Sequence, residues 1–439
     1  MRRLILLLAY GVVGTLQAQV TEYPGPTVLS RGLGTALQGG GSLARLRPYL
    51  SLNGVYDTGL TPVAVDASGR TPEEDGYGGV VEFGVTGYKN WRRTLLGLDY
   101  RGDVRHYSRK SYLDGSDHSL SLGVTYRLSG RLALTLREAA GTLSRSQGLE
   151  SNYMFFDPAY ANVPANELFD GRTDYISTLG DVTYVMGPRL SFNAGGMGMV
   201  VRRRSAAMVG VTGWTARGDM QYRTSPNVTL GSDYNFTHYD YARSFGASDI
   251  HTLAFDVAAR LGRRWNLALR LGGARVQIQG LRRVTVDPII AAILGQSVGL
   301  EVVHRLGYLP AMEARLSRTI RRTTVSFGGA AGVNPGNGVQ LLSRSQTGSV
   351  GVSHTANRRW NFGLSAGYTQ YSDLMQTIGK YRSYSAGAGF TYQLNDWAHI
   401  VGRYDARQYN AGEAHLRRTT HRTSVGIAFS PGDLPLSLW

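Results

Sequence analysis

No cysteine occurs in the 439 residues, so disulfides, thiolate chemistry and a lipoprotein anchor are closed to this chain. Charged residues make up only 18%, and the 31 acids are outnumbered by 47 lysines and arginines. Past the N-terminus no apolar run approaches the ~20 residues of a membrane-crossing helix. If the mature chain meets a membrane, it does so as strands. Catalytic signatures are missing too: there is no GxSxG and no phosphate-binding loop, and none of the nine histidines has metal-ligand spacing. No metal and no cofactor are therefore expected. The segment DGSDHS groups Asp114, Asp117 and His118, but no second acidic pair accompanies it, and no enzyme is expected. The acidic loop 66–76 has no EF-hand spacing. The basic excess comes without a nucleic-acid-binding motif, so no nucleic-acid partner is expected.

What is present is unusual in another way. The chain holds 57 glycines and 26 tyrosines, and glycine costs about 1 kcal/mol in a helix interior, so a helical protein is disfavoured. Arg2 and Arg3 precede an apolar stretch, Leu4 to Leu16, and Leu16-Gln17-Ala18 reads as a cleavage site. Residues 1–19 are thus expected to be a secretory signal peptide. Residues 20–43, with Pro24, Pro26 and three consecutive glycines at 39–41, read as a flexible periplasmic lead-in. The formal charge is +16, and +14 once Arg2 and Arg3 are removed.

From residue 44 a single unit recurs. An alternating stretch runs into a short polar turn, returns as another alternating stretch, and enters a longer loop. The turns are YKNWRR (88–93), YRLSGR (126–131), YVMGPR (184–189), YRTSPN (222–227), RLGRR (260–264), LSRTIRR (316–322), TANRR (355–359) and YQLNDW (392–397), with the Gly, Pro and Asn that hairpins require. Nine longer loops alternate with them, giving about eighteen antiparallel strands, with sixteen as the alternative count because the hairpins 190–213 and 397–430 are the weakest. A propeller is disfavoured, since its blades hold four short strands rather than two long ones. Within a strand, Leu120, Leu122, Val124 and Tyr126 oppose Ser119, Ser121, Gly123 and Thr125. That alternation suits a soluble sandwich with an apolar core or a barrel with an apolar outside. Strands longer than nine residues, the short/long alternation and aromatics at strand ends (Tyr88, Trp91, Tyr126, Trp265, Trp360, Trp397) favour the membrane barrel.

These features resemble Gram-negative outer-membrane β-barrels of the porin-like type. The resemblance implies an all-β fold, a transmembrane antiparallel up-and-down barrel over residues 44–430, with a C-terminal tail at 431–439. In the closing strand SVGIAF, Gly426 and Phe429 match part of the signal read by the barrel-assembly machinery in that family. The departure is that Trp439, rather than Phe429, ends the chain. Outer-membrane lipid, lipopolysaccharide and small solutes are the partners the resemblance implies, and a homo-oligomer is compatible with it.

Charges on the polar parity are candidates to line a pore: Glu82, Arg101, Asp103, Arg137, Arg217, Asp219, Asp233, Arg270, Glu313, Arg315, Arg403 and Asp405, with Asp99 beside them. They would filter solutes, or pair and brace the wall; both roles stay open. Arg202, Arg203 and Arg204 are candidates for lipopolysaccharide phosphates, which guanidinium groups meet bidentately; a solvated loop is the alternative. Loops 145–172 and 281–306 are candidates to constrict the mouth. In the second, Asp287-Pro288, IIAAIL and Gly295 spell a short capped helix. The sequence thus supports a passive channel for small hydrophilic solutes, anions included, or a loop-obstructed surface barrel acting in binding, adhesion or polysaccharide export.

Overall fold

The computed structural model describes residues 45–60, 74–108, 114–143, 172–204, 208–262, 264–285, 289, 298–335, 342–357, 359–374, 380–411 and 416–430. The expected signal peptide, lead-in and tail lie outside them, as do loop residues 144–171 and all of the expected helix at 287–295 except Ile289.

Eighteen strands follow one another: β1 Arg45–Leu60, β2 Glu74–Asn90, β3 Thr94–Tyr107, β4 Gly115–Arg127, β5 Leu132–Leu143, β6 Thr173–Val185, β7 Leu190–Arg203, β8 Gly210–Ser225 and β9 Val228–Ala242. The second half runs β10 Gly246–Leu261, β11 Trp265–Thr285, β12 Val298–Ile320, β13 Thr323–Asn334, β14 Ser343–Thr355, β15 Trp360–Asp373, β16 Tyr381–Gln393, β17 Ala398–Ala411 and β18 Leu416–Phe429. Each pairs antiparallel with its neighbours in sequence, and β1 pairs with both β2 and β18. The sheet is closed and has no edge, so every strand has a partner on both sides.

All eight short turns fall at one end of the barrel, with the chain's entry into β1 and its exit from β18. Their sequences explain their tightness. Gly262 takes φ +70° in the β10–β11 turn, where a side chain would be strained. Asn357 Oδ1 accepts the backbone N–H groups of Arg359 and Trp360 at 2.8 and 2.9 Å. Asn395 does the same for Trp397 and Ala398, both at 2.8 Å, a side chain standing in for a turn carbonyl. By their length these are the periplasmic turns.

The outer surface carries an apolar band, with Leu136, Val182, Leu253, Phe255, Leu271, Leu364 and Val425 exposed. Such a band, exposed to water, has no reason to exist; against acyl chains it is the favourable surface. Aromatic rings border it below. Trp360 packs on Phe362 and Tyr392 with centroids 5.6 and 4.7 Å apart. Above, Trp214 meets Phe236 at 5.1 Å. Three diagonal pairs join this upper girdle, the hydroxyls of Tyr100, Tyr234 and Tyr404 bonding Nδ1 of His118, His251 and His421 at 3.1, 2.8 and 2.8 Å.

The alternation does not keep one sense along the whole strand. On β11, Leu267, Leu269 and Leu271 face out and Asn266, Arg270 face in. Above the pair Gly272–Gly273, Ala274, Val276 and Ile278 are buried inside while Arg275 and Gln277 are exposed outside. The same reversal occurs on β9, where Tyr239 and Tyr241 are buried inside and His238 and Asp240 face out. The expected rule of apolar outside and polar inside therefore holds only where lipid surrounds the wall; above it, water is outside and the core moves in. This also corrects the reading of residues 281–306 as one long loop, since β11 and β12 pair from Thr285 and Val298 inward.

Candidate functional site

The lumen has three kinds of wall. From β17 round to β4 it is dense in charge and closely packed. Arg403 Nε stands 2.6 Å from Asp405. Arg105 bridges Asp103 at 3.3 Å and Asp117 at 2.9 Å. Arg101 chelates Asp99 at 2.6 Å. Asp57 receives the Tyr107 hydroxyl and lies 3.6 Å from Arg422. Glu82 lies in register between Ser51 and Asp103. Most of these groups are buried, and burying them is tolerable because each charge meets a partner. Glycine makes the packing possible: a Cβ on Gly84 would stand 2.6 Å from the Tyr49 ring, so the ring lies flat over the bare backbone.

From β5 to β12 a second charged arc continues. Arg217 pairs with Asp181 at 2.8 Å, Arg270 with Asp233 at 2.5 Å and Arg315 with Glu313 at 2.5 Å. Asp219 is held by Asn193 at 2.6 Å. Arg270 also lies in register between Asp256 and Glu313, so acids surround it. Arg137 faces inward between Gly123 and Leu179. All twelve sequence candidates thus face the lumen. The arrangement also brings in inward groups the candidate set left out, among them Asp57, Asp117, Asp181, Arg407 and Arg422. They stand on the same parity as the candidates, and that is the signal that would have found them.

From β13 to β16 the wall changes. Its inward positions include Ser326, Gly328, Thr347, Ser349, Gly351, Ser365, Gly367, Ser383, Ser385 and Gly387, in register across four strands, with Tyr371 and Tyr381 above them. Asp373, at the upper end of β15, is the one inward charge among the described residues of these strands. Most of these positions are half-exposed rather than buried. At the lower end, where this wall meets the second arc, lies a cavity of about 470 Å³. It is lined by Arg223, Arg260, Arg315, Asn266, Ser326 and Ser349 among others, and no carboxylate belongs to its lining.

Above the charged belt an apolar collar fills the arc from β5 to β12, with Tyr175, Met199, Val201, Val211, Tyr239, Ile250, Val276 and Ile278 in one cluster. Leu342, just before β14, is 0% exposed within it, and Leu374, just after β15, packs against it. The Arg305 guanidinium of β12 donates to the Leu374 carbonyl, tying the end of β15 to the collar's arc. Among the described residues, the ends of the β13–β14 and β15–β16 loops therefore reach the collar. The expected constrictors, loop 145–172 and most of 286–297, lie outside the described residues.

Other candidates separate. Arg202 and Arg204 are exposed, whereas Arg203 turns inward, is buried and bonds the Thr173 hydroxyl at 3.4 Å. The three arginines cannot act as one external clamp, because consecutive residues of a strand face opposite sides. The DGSDHS residues also diverge: Asp114 holds His106 at 2.8 Å, Asp117 faces the lumen and His118 faces out. Hydrogen bonds from the Tyr107 backbone and from His106 hold the Asp114 carboxyl below its ordinary range. Gly426 faces inward, where a Cβ would strike the Leu52 carbonyl and Asn53. Phe429 faces out in register with Leu50 at the seam.

A closed eighteen-stranded barrel with a lipid-suited outer band and a polar lumen is an outer-membrane β-barrel of porin-like architecture. No family model matches the chain, and no curated protein matches it in sequence. Among solved structures, the chain is similar to OccK2 (OpdF) of Pseudomonas aeruginosa at 12% identity, covering 88% of this chain and 98% of that one, with a TM-score of 0.42. The same protein in complex with glucuronate gives the same values. OccAB4 of Acinetobacter baumannii is similar at 9% identity, with 88% and 98% covered and a TM-score of 0.41.

Proposed function

We propose that the barrel is a passive channel for small hydrophilic solutes, anions among them, and that the route follows the β13–β16 wall. The observation that carries this reading is the half-exposed row of serines, threonines and glycines facing two arcs of packed, paired charge. A barrel of this strand number encloses more space than its side chains fill unless large groups reach across. Charged and aromatic residues reach in from the other arcs and, at the upper end of this wall, from Tyr371, Asp373 and Tyr381; the Ser, Thr and Gly positions below them do not. Preference for anions is supported by the cavity at the lower end, whose lining includes Arg223, Arg260 and Arg315 and no carboxylate.

A second reading, a surface barrel obstructed from within, is favoured by the apolar collar and the fully buried Leu342. Reconstitution in a planar bilayer separates the two. Stable open steps, with a reversal potential displaced toward the anion equilibrium, are the expected result. Electrical silence from a folded, heat-modifiable barrel would sink the channel and leave the collar as a plug. Assembly through the Gly426–Phe429 strand, and contact of Arg202 and Arg204 with lipopolysaccharide, belong to the same proposal.

A further inference from the structure

The positive charge of this protein is unevenly placed along the barrel axis. Seven of the eight periplasmic turns carry arginine, and Asp396 is the one acid among their described residues. Lys89, Arg92, Arg93, Arg189, Arg264 and Arg359 are all exposed. At the opposite rim the signs are mixed and pair locally, as in Arg172 and Arg204 with Asp174 at 3.6 and 3.9 Å, or His238 with Asp249 at 2.6 Å. The lower cations also stand beside outward-facing tryptophans. Lys89 Nζ lies 4.9 Å over Trp91, and the Arg318 guanidinium 4.8 Å over Trp265.

From this we infer that the periplasmic rim is a docking surface for the anionic phospholipid headgroups of the inner leaflet. Three features select that occupant. The cations encircle the barrel, as a lipid annulus does, whereas a docked protein would touch one arc. They adjoin rings that sit at the headgroup level of a bilayer. Their sign is unbalanced, which suits phosphate and excludes a zwitterionic surface as the preferred neighbour. A basic side chain near an anionic surface raises the local lipid occupancy about fivefold.

Four of the six tryptophans, Trp91, Trp265, Trp360 and Trp397, lie at this rim, so their fluorescence reports its lipid. The full-length barrel would be reconstituted into phosphatidylcholine vesicles containing equal fractions of phosphatidylglycerol or phosphatidylcholine with brominated acyl chains. Brominated phosphatidylglycerol is expected to quench severalfold more effectively, with the preference shrinking as salt rises. Combining Arg92→Gln, Arg93→Gln, Arg189→Gln and Arg264→Gln should abolish most of it; if that variant does not assemble, the Arg92→Gln/Arg93→Gln pair gives the same reading at half the loss. Equal quenching by both lipids overturns the inference, as does a preference that survives the substitutions. So does a preference erased by millimolar soluble glycerol phosphate, which would assign the rim to small free anions.

Discussion

The walls at β17–β4 and β13–β16 face the same lumen and belong to the same sheet, yet they use their inward positions in opposite ways. The first spends them on arginine, aspartate and tyrosine, each held by a neighbour, and is buried. The second uses hydroxyls and bare backbone, and is half-open. Glycine shows the contrast most directly. Gly84 exists because Tyr49 occupies the place of its side chain, while a Cβ on Gly363, in the same inward parity on β15, would meet nothing within 4 Å. One wall is structure and the other is space.

That contrast can be broken from either side. Asp57→Ala removes the carboxylate shared by Tyr107 and Arg422 and leaves a buried guanidinium short of its counter-charge. A loss of about 3–5 kcal/mol is expected, read as a lower urea midpoint for unfolding from vesicles; an unchanged midpoint would mean that the packed wall is not what braces the barrel. Next in size, Gly84→Ala should cost about 1–3 kcal/mol through overpacking. Gly363→Trp should alter stability by less than about 1 kcal/mol and instead lower single-channel conductance. Equal conductance in wild type and Gly363→Trp would move the route away from β13–β16. The smallest effect concerns the loop at 108–114. Asp114, whose carboxyl is held below its ordinary value, contributes stability that is present above the unfolded carboxylate range, near pH 4, and is lost as pH falls through its folded value. Faster exchange of the Tyr107 amide at low pH, absent in Asp114→Asn, is the sign to look for.

The barrel itself was legible because its turns are written in short-range code. Asn357 and Asn395 specify their own hairpins, and a two-residue period needs no knowledge of distant contacts. Inward charge was legible for the same reason, through parity. The neutral wall was not recognised as distinct, although Ser349, Ser365 and Ser385 lie on the predicted polar face, because its meaning depends on what stands across the lumen. The collar was missed for a different reason. Val276 and Ile278 share the inward parity of Asn266 and Arg270, and a rule of polar inside carried up the whole strand passes over them. Arg203 was misjudged by treating three adjacent arginines as one group, when a strand splits them between two environments.

The reversal at Gly272–Gly273 has a mechanical consequence. Eight residues separate Trp265 from Gly273, which for a tilted strand is about 20 Å of height. The chain thereby records a hydrophobic thickness in its own residue order, and it is short, as suits the thin bacterial outer membrane. In a thicker bilayer Arg275 and Gln277 would be drawn into acyl chains, so the lipid must thin around this barrel or the barrel must tilt. Mismatch would be felt first at β11.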